Sequence, residues 1–206
     1  LLIYLYYAAN QGGLGMDKAL AGGIVGAYGG SVYLSTILGA WLADRIWGSE
    51  RTLFISGIVV MTGHILLAIV PGLMGLLLGL VFIALGSGGV KSSASSMVGS
   101  LYERDDLREL RDAGFSIFYI SINIGGFLGP LLTGILQDRM GFHYGFGAAA
   151  VGMAFGLLWY SRGRKDLPHT PAPNPLRPEK VQTAIAVGVL LVLVLGSVIA
   201  SGALNL

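Results

Sequence analysis

Cysteine is absent from this sequence of 206 residues, and charged side chains are scarce. Without cysteine, the sequence has no disulfide, no thiolate-bound metal and no cysteine nucleophile. Only 12% of its residues are charged, whereas a soluble domain carries roughly 25%. In contrast, 54% of the residues are hydrophobic and 33 are glycine. This composition is typical of a helical membrane protein with several spans, in which small residues let helices approach closely.

Apolar runs divide the sequence into segments long enough to cross a bilayer, which takes about 20 residues. Five of the seven prolines lie in 162–180, and this density predicts an extended linker. The run 181–206 that follows is long enough for one additional span. The expected fold is therefore all-α and transmembrane. We predict six earlier helices, of which the first is the end of a longer one, at about 1–9, 21–43, 52–70, 73–102, 113–136 and 142–161.

Basic residues between the spans fall almost entirely on one side of the predicted membrane. Ten Lys and Arg residues lie on that side, and only Lys18 and Arg139 lie on the other. Because loops rich in Lys and Arg stay in the cytoplasm, we predict that 44–51, 103–112 and 162–180 are cytoplasmic. The ten basic residues are Arg45, Arg51, Arg104, Arg108, Arg111, Arg162, Arg164, Lys165, Arg177 and Lys180.

Two smaller patterns predict how the helices are placed. Three glycines recur every four residues and predict one smooth helix face for close packing. They are Gly22, Gly26 and Gly30. A tyrosine cluster near the start of the sequence predicts an aromatic belt at the membrane interface. Its members are Tyr4, Tyr6 and Tyr7.

Lys91 stands among apolar and small residues in the predicted helix 73–102. An ammonium at the centre of a membrane helix costs at least about 2.5 to 3.5 kcal/mol, so it usually faces a bundle interior or a water-filled cavity. The alternative is a side chain that reaches along the helix to the membrane surface, but eleven residues separate Lys91 from Glu103. We therefore expect Lys91 to be a functional residue.

The loop after the first complete span reads GAWLADRIWGSER, from Gly39 to Arg51. It resembles the loop signature of the major facilitator superfamily, which is carried here by Gly39, Asp44, Arg45, Gly48 and Arg51. We expect Asp44, Arg45 and Arg51 to form a conformational latch, since charges at helix ends can pair in one conformation and separate in another. The alternative is that these are ordinary solvated charges beside a span.

Three stretches resemble the proton-dependent oligopeptide transporters, a family of that superfamily. They read GSGGVKSSASSMVGSLY around Lys91, DAGFSIFYISINIGGFLGPLLTG at 112–134 and GFHYGFGAAAVGMAFGLLWY at 141–160. Ser92 and Ser93 stand where the family usually has proline and asparagine. The resemblance implies the amino-terminal six-helix bundle of a proton-coupled symporter of di- and tripeptides, with its first helix truncated. It also implies a secondary active transporter of the cell membrane that works by alternating access, and not an enzyme.

The same resemblance implies roles for four polar residues. Lys91 corresponds to the lysine that pairs with carboxylates of the first helix, which lie outside this sequence, and couples proton binding to peptide binding. Tyr33, Lys91, Tyr119 and Asn123 correspond to residues that bind the peptide. Tyr119 and Asn123 are four residues apart and so share a helix face. The alternatives are packing for the two tyrosines and an interhelical hydrogen bond for Asn123.

The resemblance also implies the partners of the protein. Protons are the coupling ion, and we expect no cofactor, metal or nucleic acid. The expected partners are di- and tripeptides, protons, the lipid bilayer and a missing carboxy-terminal half, without which we expect no transport. The run 181–206 is either the first helix of a hairpin between the halves or the first helix of the second half. Two other functions stay open, which are the same fold carrying another solute such as nitrate, and a non-transporting fragment.

Overall fold

The computed structural model describes residues 1–177, 179–183 and 186, and that part of the chain contains helices and no β-strand. Five of the helices are long and apolar enough to cross a membrane. Nearly all of the predicted span 181–206 lies outside the described residues. The helices are α1 (Leu2–Tyr6), α2 (Lys18–Leu42), α3 (Ser49–Ile69), α4 (Gly72–Leu101), α5 (Arg111–Met140) and α6 (Phe142–Gly163).

Helix α2 begins at Lys18, earlier than the apolar run indicated, because Asp17 caps it. The Asp17 carboxylate accepts hydrogen bonds from the backbone N–H groups of Ala19 (2.8 Å) and Leu20 (3.4 Å). Such a cap satisfies N–H groups that have no partner within the helix. A polar residue just outside the apolar run therefore decides where the helix starts.

Helix α2 also continues beyond the predicted position of its end. Residues Ala43–Trp47 form a π-helical segment, closed by a hydrogen bond from the Gly48 N–H to the Ala43 carbonyl (3.0 Å). The helical path breaks only at Gly48, whose φ of 78° is readily adopted by glycine. Since α3 starts at Ser49, the region 44–51 is one break between two helices and not an open turn.

The end of α3 is tied to the start of α6 by a histidine. Pro71 has no N–H, so the Leu67 carbonyl four residues earlier lacks its usual helical donor. His143, in the first turn of α6, places its Nδ1 2.9 Å from that carbonyl oxygen. A ring N–H at Nδ1 therefore replaces the missing backbone donor and joins the two helices.

Close packing in the described bundle occurs where α4 meets α2 and α3 through small residues. A Cβ added to Gly39 of α2 would lie 2.6 Å from the Gly89 Cα of α4, and one added to Gly86 would lie 2.7 Å from the Ser56 carbonyl oxygen of α3. These backbones approach closely because no side chain separates them. In contrast, no other part of the described chain lies within 4 Å of a Cβ added to any member of the predicted glycine row, which is Gly22, Gly26 and Gly30.

Helix α1 turns one side, with Tyr4 and Leu5, into the core. Tyr4 is only 3% exposed, and its ring centroid lies 5.2 Å from that of Phe142 and 5.4 Å from that of Phe146. The predicted aromatic belt is therefore wrong for Tyr4. Its ring is surrounded by the start of α6, whose position the local tyrosine pattern could not indicate.

Candidate functional site

The region around Lys91 is shaped by the close contact between α2 and α4. The Ser35 hydroxyl of α2 donates a hydrogen bond to the Ala84 carbonyl of α4 (2.6 Å), and Gly39 lies against Gly89, two residues before Lys91. Small residues at this crossing bring the two helix backbones together. The longer side chains beside the crossing then meet at its edge.

Lys91 and Tyr33 meet at that edge. The Lys91 Nζ lies 4.5 Å from the centroid of the Tyr33 ring, a cation–π geometry. Tyr33 is 73% exposed and Lys91 is also exposed, so the pair lies on an open face of the described bundle. Among the described residues, no salt bridge involves Lys91. Its three N–H donors are therefore free to bind an acceptor that approaches this face.

Tyr119 and Asn123 lie one turn apart on α5. Tyr119 is exposed and its ring lies beside those of Phe115 and Phe118, with centroids 6.4 Å and 5.5 Å away. The Asn123 Nδ2 donates to the Tyr119 carbonyl within the same helix (2.8 Å). The side-chain oxygen of Asn123 (Oδ1) and the Tyr119 hydroxyl have no hydrogen-bond partner in the described part of the chain, so both can bind a ligand.

The structure brings together two of the four residues predicted to bind substrate. Lys91 and Tyr33 touch, whereas no hydrogen bond or aromatic contact among the described residues joins them to Tyr119 or Asn123. A molecule that contacted both pairs would have to bridge α5 and the α2–α4 edge. The substrate-binding role of all four residues stays a prediction.

Ser93, one of the two residues that depart from the family pattern, is fully buried between helices. Its hydroxyl has no hydrogen-bond partner among the described residues, and the same holds for the buried hydroxyl of Thr52 on α3. Ser92 donates to the Gly89 carbonyl of its own helix (3.3 Å). Among the described residues, no hydrogen bond joins the side chain of either serine to Lys91.

The predicted latch residues lie where α2 ends and α3 begins. Asp44 and Arg45 belong to the π-helical segment, and Arg51 lies in the first turn of α3. Arg45 donates from Nη1 to the Asn174 carbonyl (3.3 Å). Within the described residues, none of the three forms a salt bridge. Their function as a latch stays a prediction.

An ion pair that the sequence did not indicate lies at the same end of the bundle. Arg164, just after α6, donates from Nε and Nη2 to the two carboxylate oxygens of Glu50 on α3, with 3.1 Å between Nη2 and Oε2. The Arg164 guanidinium also lies 4.5 Å from the Phe54 ring centroid. Opposite charges at the ends of two predicted helices were the available signal, but 114 residues separate them. A sequence pattern could not pair them.

Comparison with known proteins identifies the family. A family model described as "PTR2: POT family" matches residues 50–202. The chain belongs to the POT family. Its relatives include a Bacillus subtilis (strain 168) protein named "Uncharacterized transporter YclF", 46% identical over 204 residues, or 98% of this chain and 40% of that protein. A "Di-/tripeptide transporter" of Lactobacillus helveticus is 44% identical over 187 residues, or 86% of this chain and 37% of that protein.

Solved POT structures have the same fold. A crystal structure of the peptide transporter POT in complex with sulfate matches with a TM-score of 0.88 and 44% identity, over 98% of this chain and 42% of that one. The expected all-α bundle of the major facilitator type and the family resemblance are thereby confirmed. The family is one of membrane transporters and not of enzymes. This POT chain spans about 40% of the length of the relatives that it matches.

Proposed function

We propose that this chain is the amino-terminal half of a proton-coupled symporter of di- and tripeptides, a secondary active transporter that works by alternating access. The observation that carries this proposal is the Lys91 ammonium, held against the Tyr33 ring on an open face of a POT bundle. The name of the Lactobacillus helveticus relative supports the choice of substrate. The activity belongs to the full-length protein, of which this chain supplies one half of the transport path.

Lys91 gives this half of the protein its means of coupling. A cation within a membrane protein is costly unless a negative group compensates it. The carboxylate of a bound peptide and a carboxylate of the protein therefore compete for Lys91. Protonation neutralises the protein carboxylate and leaves the ammonium to the peptide, so proton binding favours peptide binding. The family resemblance implies that the competing carboxylate lies in the first helix of the full-length protein.

Two of the other site residues offer neutral hydrogen-bonding groups, whereas Tyr33 contributes its ring to the contact with Lys91. Tyr119 carries a hydroxyl, and the side chain of Asn123 has a carbonyl oxygen that is free in the described part of the chain. Such groups pair with the N–H and C=O groups of a peptide backbone and do not select a side chain. We therefore propose recognition of many di- and tripeptide sequences at this site.

Uptake by the full-length protein in liposomes tests the proposal. We expect labelled dipeptide to accumulate only under an inward proton gradient, and Lys91→Ala to lower the gradient-driven rate by at least about tenfold, which corresponds to about 1.4 kcal/mol. Lys18→Ala is the matched control, because Lys18 lies at the start of α2, about four helical turns before Tyr33, and we expect it to leave the rate unchanged. Uptake that ignores the gradient, or that survives Lys91→Ala, would contradict the mechanism.

The same assay separates the other solutes. We expect excess unlabelled di- and tripeptides to suppress the uptake of labelled dipeptide, and nitrate to leave it unchanged. Suppression of dipeptide uptake by nitrate, or accumulation of labelled nitrate, would instead assign the site to a small anion. Normal membrane insertion without uptake of either solute would favour a protein that does not transport.

A further inference from the structure

The proline-rich segment after α6 lies against residues 43–48, which join α2 to α3 and are called the α2–α3 loop here. It supplies hydrogen bonds that this loop lacks. The π-helical segment ends at Trp47, and the last carbonyls of any helix have no donor within it. Two of these carbonyls, those of Asp44 and Arg45, accept hydrogen bonds from the N–H groups of Asn174 (3.0 Å) and Leu176 (2.8 Å). The segment thus caps the end of the helical path that begins with α2.

The same segment also caps the start of α3. Gly48 stands at the capping position of α3 and has no side chain with which to accept a hydrogen bond. The Thr170 hydroxyl accepts one from the Glu50 N–H (3.0 Å) in its place, and lies 3.5 Å from the Met97 Sδ of α4. A Cβ at Gly48 would overlap the Thr170 carbonyl oxygen. Both this close approach and the positive φ therefore require glycine at position 48.

The order of the prolines fits this arrangement. Between Thr170 and Arg177 the sequence reads PAPNPL, in which proline alternates with Ala172, Asn174 and Leu176. Proline has no N–H to donate. Backbone N–H donors therefore remain at alternate positions. Two of them, those of Asn174 and Leu176, donate to the carbonyls of the α2–α3 loop. A proline-rich composition is thus compatible with a docked segment as well as with a free one.

We propose that residues 170–176, named here the linker clip, cap the α2–α3 loop and hold it in one conformation. Arg164 lies between α6 and the clip, and its ion pair with Glu50 joins this part of the chain to α3. The ion pair and the clip therefore hold the α2–α3 loop at successive points. Asp44 and Arg45 cannot change their backbone conformation while the clip holds their carbonyls. Any rearrangement of the predicted latch must therefore release the clip, whatever solute the protein carries.

Hydrogen exchange of backbone amides in the purified full-length protein, followed by mass spectrometry, tests the clip. We expect Leu176→Pro, which removes the donor to Arg45, to raise exchange in a peptide covering 46–53 by at least about threefold. Ala172→Pro is the matched control, because Ala172 also follows a proline and its N–H has no backbone hydrogen bond among the described residues. We expect exchange in the control to match the unsubstituted protein.

A second pair of variants tests the clip without adding proline. Thr170→Val removes the acceptor for the Glu50 N–H and keeps the side-chain shape, and we expect about a threefold rise in exchange in the same peptide. Thr170→Ser keeps the hydroxyl and is expected to show no rise. Exchange equal to that of the unsubstituted protein in Thr170→Val, or equal exchange in Leu176→Pro and Ala172→Pro, would overturn the proposal. If Leu176→Pro does not fold, the Thr170 pair alone decides.

Discussion

The contact between Lys91 and Tyr33 can be divided into ring and hydroxyl by two substitutions of Tyr33. Tyr33→Phe keeps the ring that faces the ammonium, whereas Tyr33→Leu removes it. A cation–π contact contributes about 0.5–1 kcal/mol at an exposed site and about 2 kcal/mol when desolvated. Because Tyr33 is 73% exposed in the described bundle, the lower range applies. We therefore expect Tyr33→Leu to lower kcat/KM for dipeptide uptake about two- to fivefold, and Tyr33→Phe to leave it nearly unchanged.

Proton-driven uptake of labelled dipeptide over a range of concentrations measures both variants in the full-length protein. If the ring acts by holding Lys91, Tyr33→Leu should have no further effect on the residual uptake of a Lys91→Ala protein. An equal loss in Tyr33→Phe and Tyr33→Leu would show that the hydroxyl is the group that matters. Unchanged uptake in Tyr33→Leu would refute the reasoning from the cation–π contact altogether.

Two further predictions concern stability and are checked by thermal unfolding of the purified full-length protein. The side chains of Glu50 and Arg164 are 16% and 36% exposed, so their pair lies between the buried and surface cases, and we expect Glu50→Gln to cost about 1–2 kcal/mol. An unchanged midpoint would mean that the ion pair contributes nothing. We expect Gly86→Ala to cost about 1–3 kcal/mol because its Cβ would lie 2.7 Å from the Ser56 carbonyl oxygen, while Gly22→Ala, where no described residue lies within 4 Å, should not destabilise. Equal effects of the two alanines would contradict the packing account.

Hydropathy was sufficient to locate the spans. Helices α3 to α6 match the predicted ranges with ends that differ by at most four residues, because an apolar run of bilayer length has few alternatives to a helix. The short motifs were sufficient for the family, which the match over 50–202 confirms. Lys91 was singled out because one ammonium among apolar residues is costly near the centre of a membrane helix, and its function stays a prediction.

Contacts between distant parts of the chain could not be predicted from local patterns. The regular row formed by Gly22, Gly26 and Gly30 indicated a packing face, yet the described close contacts involve Gly39 and Gly86. Spacing within one helix shows which residues share a face but not which face another helix covers. The burial of Tyr4 follows the same rule, because it depends on the position of α6.

The region 162–180 shows how far composition can be interpreted. Proline density predicts that a segment is not helical, and residues 167–177 are indeed not helical. Whether such a segment is free or docked depends on acceptors elsewhere in the chain, and here these are the carbonyls of Asp44 and Arg45, which accept hydrogen bonds from Asn174 and Leu176. The sequence did contain one sign of this need, since Gly48 separates two helical segments without a side chain that could cap either. A break between two helices that lacks a capping side chain is therefore a place where another part of the chain can supply the caps, as residues 170–176 do here.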